Sequence, residues 1–66
     1  MNYELHFLRR PQVEAMTSLS RATIYKWMRL NKFPKSISIA PKIVVWKKSD
    51  VEQWMSDQID QVLVAA

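Results

Sequence analysis

The sequence predicts a mainly helical domain with one small β-hairpin, ordered helix, turn, helix, hairpin, helix: a winged helix-turn-helix. Three observations lead there. A short helical segment ending near Met16 runs into the polar turn Thr17-Ser18-Leu19-Ser20 and then a capped helix with one apolar and one cationic face. Two β-rich runs, 36–39 and 43–46, flank a short turn containing Pro41. Finally, Val51, Trp54, Met55 and Ile59 recur at helical spacing.

Sixty-six residues make one small domain, with a core over about 7–60 and a tail at 61–66. A chain this short buries roughly 60% of its unfolded surface, so a dense core is needed. Three tryptophans, two phenylalanines and 48% hydrophobic residues supply it. The absence of cysteine excludes a disulfide scaffold and a thiolate metal site, and the single His6 excludes a multi-histidine centre. No metal or cofactor is expected. Ten Lys and Arg against six Asp and Glu give a formal charge of +4. That basic field suits an anionic partner. The first eight residues lack a signal peptide's long apolar centre and run into Arg9 and Arg10. No apolar run approaches the ~20 residues that span a bilayer. The expected location is the cytoplasm, with no membrane partner.

Along the chain, 5–8 is apolar except His6 and suits an extended segment. Pro11 fits the first turn of a helix over about 11–16, whose inward residues are Val13 and Met16. Ser20 is a good N-cap for a second helix over about 21–31, because its oxygen can accept from the unpaired amides of the first turn. Ile24, Trp27 and Met28 form that helix's apolar face, with Ala22, Lys26 and Arg29 opposite. Asn31 or Lys32 stops it, and Pro34 turns Phe33 away from helical angles. The alternating run 36–39 and the β-branched, aromatic run 43–46 form the hairpin. With no glycine available for a tight turn, Pro41 suggests a wider loop. Ser49-Asp50-Val51-Glu52 reads as a capping box opening a third helix over about 50–60.

The second helix carries the expected chemistry. Arg21, Lys26 and Arg29 reach phosphates or guanine edges, where a guanidinium pairs bidentately with O6 and N7. Thr23 suits a base edge or a phosphate, and Tyr25 a phosphate. Thr17 and Ser20 lie near the helix's amino end, where amides and dipole favour a phosphate. Lys42, at the hairpin tip, resembles a wing contact to backbone or minor groove. Lys35, Lys47 and Lys48 stand at the strand ends; for Lys47 and Lys48, blunting a strand edge is an equal reading. Arg9 and Arg10 suit backbone phosphate and plain solvated surface equally. Trp27, Trp46 and Trp54 are expected in the core rather than on stacked bases. An enzyme is not expected: the carboxylates are scattered, the one histidine has no partners, and there is no glycine-rich phosphate loop.

Several segments together resemble the AlpA family of small phage and prophage regulators. They are 7–13 (FLRRPQV), 19–27 (LSRATIYKW), 32–35 (KFPK), Trp46 and 49–54 (SDVEQW), and the resemblance covers about 7–59. The family is similar to phage excisionases and to the DNA-binding domains of MerR-type regulators. The resemblance implies a recognition helix opening at Ser20 and carrying Arg21, Thr23, Tyr25 and Lys26, with a wing tip at Ala40-Pro41-Lys42. It also implies binding of double-stranded DNA near a prophage or genomic-island integrase gene, with transcriptional activation or promotion of excision as the outcome. Self-association on adjacent sites and contact with integrase or RNA polymerase are the partner expectations. The chain departs from the family pattern at Ser18 and Ala40, where glycine is usual. The alternative is a protein-binding adaptor or inhibitor on the same fold. Salt separates the two, since binding through several phosphates weakens steeply with salt.

Overall fold

The computed structural model describes residues 6–65. Leu5, at the start of the expected extended run, and Ala66, at the end of the tail, lie outside them. The order is β1 (Phe7–Leu8), α1 (Arg10–Thr17), α2 (Arg21–Arg29), β2 (Ile37–Ala40), β3 (Ile43–Lys47) and α3 (Lys48–Ala65). This is a winged helix-turn-helix. The extended segment before α1 becomes a third strand: β3 is central, with β1 and β2 antiparallel on either side.

One buried cluster joins the elements. It takes Leu8 from β1, Val13 from α1, Ile24 from α2, Phe33 from the following loop, Trp46 from β3 and Val51 from α3. Each such side chain contributes about 1.5–3 kcal/mol of hydrophobic stabilisation. β2 adds nothing to this cluster. Ile37 pairs with Val45, one residue out of phase with Trp46, so both lie on the opposite sheet face. Val45 is covered there, whereas Ile37 and Ile39 stay exposed. The alternation in 36–39 therefore marks a strand without marking its core side.

The indoles tie the irregular loop down. Trp46 Nε1 donates to the Pro34 carbonyl at 3.1 Å, and Trp54 Nε1 to the Lys32 carbonyl at 2.7 Å. Phe33 meets Trp54 edge-on at 4.8 Å between ring centroids, and Trp27 lies 6.0 Å from the same ring. Trp46 is fully buried, while Trp27 and Trp54 are half-buried against the core.

Helix ends follow their local chemistry. In α1, Gln12 Oε1 accepts from the Arg9 amide at 2.8 Å, and Ser18 closes the helix in the left-handed region (φ 62°). In α2, Asn31 takes φ 58°. The Lys32 amide donates to Trp27 O at 2.7 Å and the Asn31 amide to Met28 O at 3.1 Å, the paired bonds of a Schellman ending. α2 therefore stops at Arg29, two residues before the expected end.

Three expectations are corrected. The hairpin loop is narrow rather than wide: Ala40 pairs with Ile43 across Pro41-Lys42 alone. Lys42 takes the positive φ (64°) that glycine usually supplies, behind a proline suited to the first turn position. Ser49 is not a cap, because α3 begins at Lys48, directly off β3. The Lys48 amide donates to His6 O at 2.6 Å, so the sheet edge already satisfies a helix-opening donor. α3 also runs beyond the expected stop at 60 and reaches Ala65, leaving Ile59 exposed rather than in the core stripe.

Candidate nucleic-acid interface

α2 is held on its inner side by Ile24, with Trp27 and Met28 half-buried beside it. Arg21, Ala22, Lys26 and Arg29 are exposed, and Tyr25 and Thr23 lie half-buried on opposite flanks. Ser20 caps the helix: its Oγ accepts from the Thr23 amide at 3.2 Å and donates to Thr23 Oγ1 at 2.9 Å. Thr17 behaves differently. Its hydroxyl donates to Val13 O at 2.8 Å and accepts from the Leu19 amide at 3.3 Å. Its one proton is committed inside the turn, which makes Thr17 a residue that shapes the turn.

Tyr25 orders its neighbours. The Arg21 guanidinium lies 5.9 Å from the Tyr25 ring centroid, and that ring lies 6.4 Å from Trp46. A cation over an aromatic face gains about 0.5–1 kcal/mol at an exposed site, enough to bias the arginine's orientation.

The wing tip is brought to the same side. Lys42, Arg9, Arg10 and Tyr25 line one cleft of about 310 Å³, with Val44 and Trp46 behind them. Lys35, Lys47 and Lys48 do not line it. Lys35 borders a larger groove of about 950 Å³ between the end of α2 and α3, walled by Trp27, Phe33 and Trp54. There Lys32 and Lys35 are offset by Asp50 and Asp57, whereas among the described residues no carboxylate lines the smaller cleft. Of the four cations whose sequence reading is evenly balanced, Arg9 and Arg10 line the cleft with Lys42, and Lys47 and Lys48 do not. The readable signal was two adjacent arginines immediately ahead of a proline-initiated helix.

Charge divides between helices. α2 carries Arg21, Lys26 and Arg29 with no carboxylate, whereas α3 carries Asp50, Glu52, Asp57 and Asp60 against Lys48 alone. Among the described residues no group of three or more His, Cys, Asp or Glu is placed to hold a metal ion. No helix among them is long and apolar enough to cross a membrane.

Residues 6–59 match the family described as prophage CP4-57 regulatory protein (AlpA). The chain belongs to this family. It is 43% identical over 53 residues to an uncharacterized protein, ORF88, of Enterobacteria phage P4, a match covering 80% of this chain and 60% of that protein. It is 32% identical over 60 residues to the DNA-binding transcriptional activator AlpA of Escherichia coli K12, covering 82% of this chain and 86% of the relative. No solved structure matches significantly. Against the AlpA-family pattern, Ser18 keeps the left-handed turn that a glycine there would take (φ 62°). At the wing, the positive φ falls on Lys42 rather than on Ala40.

Proposed function

We propose that this AlpA-family chain binds duplex DNA sequence-specifically as a regulator of a prophage or genomic island, through one unit spanning about 7–60. The observation that carries this reading is the exposed face of α2, where Arg21, Lys26 and Arg29 stand with no carboxylate on the same helix. Arg21, Lys26, Arg29 and Thr23 face the major groove, while Ser20, Tyr25 and Lys42 contact backbone. Family membership and the relative named as a DNA-binding transcriptional activator support it. The downstream event is activation of integrase transcription or promotion of excision. Both need a protein that positions DNA and performs no bond chemistry. A single module of this kind buries roughly 600–1,000 Å² on DNA, so several copies on neighbouring sites, or a contact with integrase or RNA polymerase, complete the assembly. The site of action is the cytoplasm.

Fluorescence anisotropy tests the reading with DNA from upstream of a neighbouring integrase gene and a scrambled duplex, at two salt concentrations. Selective, salt-sensitive binding is expected, and R21A/K26A should lose it. A lost bidentate base pair costs about 1–3 kcal/mol, or roughly 5–150-fold in Kd. Equal weak binding to both duplexes, indifferent to the substitutions, overturns specific recognition and favours the adaptor reading.

A further inference from the structure

The small cleft beside α2 gathers positive charge from two separate parts of the chain. Arg9 is the residue ahead of α1, Arg10 opens it, and Lys42 sits at the tip of the β2–β3 hairpin. We propose that this cleft binds one backbone phosphate of duplex DNA, and that this contact fixes the angle at which α2 enters the groove. The inference rests on the DNA-binding reading above and adds a site to it.

Composition comes first. Among the described residues three cations and no carboxylate line a space of about 310 Å³, a volume suited to one phosphate group with its waters. Glu14 engages Arg10 only through Nε, at 2.9 Å. That ion pair orients the guanidinium and leaves its terminal amino groups as donors. Tyr25 lines the same space and adds a hydroxyl.

Position comes second. A helix about 10–12 Å across fills a major groove about 12 Å wide, so phosphates pass along its flanks. Tyr25 lies on such a flank, between the buried face at Ile24 and the exposed face at Lys26. A strand bordering the groove there meets the cleft. Phosphate contacts of this kind set orientation without reading bases.

The test measures affinity for a random-sequence 20-base-pair duplex across a salt series. It compares wild type, R9Q/K42Q and, as a control that removes equal formal charge from the other groove, K32Q/K35Q. Arg9 and Lys42 are exposed, and glutamine keeps the side-chain stem, so thermal unfolding should be unchanged. Glu14 offsets the charge of Arg10, so Arg9 and Lys42 supply the cleft's net charge, and the slope of log K against log salt should fall by about 0.9 in R9Q/K42Q, the loss of one phosphate. It should stay at the wild-type value in K32Q/K35Q. Y25F should weaken binding without changing the slope, because it removes a neutral donor. A wild-type slope in R9Q/K42Q overturns the cleft while leaving DNA binding by α2 intact. A fall of about 1.8 shows two separate phosphates and overturns the shared site. Failure of the wild type to bind any duplex overturns the cleft and the underlying reading together.

Discussion

Ser18, Asn31 and Lys42 all hold a Cβ in the left-handed backbone region, in a chain with no glycine. That conformation costs an L-residue about 1–2 kcal/mol, less for asparagine. Glycine removes the cost but adds about 0.5–1 kcal/mol of unfolded-state entropy. Ser18→Gly should therefore stabilise the protein by about 0.5–1 kcal/mol, read as a raised midpoint in urea unfolding. An unchanged or lowered midpoint would show that the serine side chain offsets its backbone strain. These positions also explain why the hairpin turn was poorly legible. A glycine-free turn beginning with proline suggests a wide loop, yet Lys42 accepts the φ that closes a narrow one. Residue type alone does not reveal a strained lysine. Ser20 was legible because an N-cap needs only a side-chain oxygen and a following helix, and both stand in the sequence.

At the scale of elements, periodicity located all three helices, and local signals fixed their ends less well. α3 shows why. The Ser49/Glu52 capping box presumes that a helix start must satisfy its own amides, but α3 opens at Lys48, whose amide donates to the carbonyl of His6, just ahead of β1. That partner lies more than forty residues away and leaves no local trace. β2 shows the complementary failure: its alternation is real, but both its isoleucines stay exposed, with Ile37 on the sheet face away from Trp46. On α2, Ser20→Ala removes the cap to Thr23 and should cost about 1 kcal/mol. Its DNA affinity should fall further than unfolding alone explains, since the cap also holds the first turn carrying Arg21 and Thr23. Anisotropy and urea unfolding on the same sample separate the two effects. Trp46 is the element-joining residue, fully buried in the central strand and bonded to Pro34 O. Trp46→Ala should cost about 3–5 kcal/mol. A 66-residue protein has roughly 3–10 kcal/mol in total, so far-UV circular dichroism should show a largely unfolded variant. Retention of the wild-type spectrum and unfolding midpoint would show that the core re-forms without the indole.

Over the whole molecule, charge and apolar surface are placed on different helices. α2 is purely cationic, while α3 is net acidic and ends in exposed Ile59, Val62 and Leu63, at spacing that puts them on one side of the helix. Under the proposed reading, in which α2 faces DNA, phosphate repels the acidic α3 and puts it on the side away from DNA, leaving its apolar stripe for a neighbouring copy. The tail is visible in the sequence as an apolar run with no stop signal, which leaves helical extension, fraying and partner contact equally open, and α3 takes the first of these to Ala65. Exposure then decides the reading: these residues are 59%, 68% and 69% accessible, too open to serve the core. Copies bound at adjacent sites should therefore touch through this stripe. Ile59→Glu/Leu63→Glu keeps good helix formers and adds two charges to that surface. The variant should match wild type in affinity for a single site and lose cooperativity on a duplex carrying two or more adjacent sites, seen as a flattened binding isotherm. Unchanged cooperativity would exclude the α3 stripe as the contact between copies. Loss of single-site affinity would instead place α3 within the DNA-binding surface.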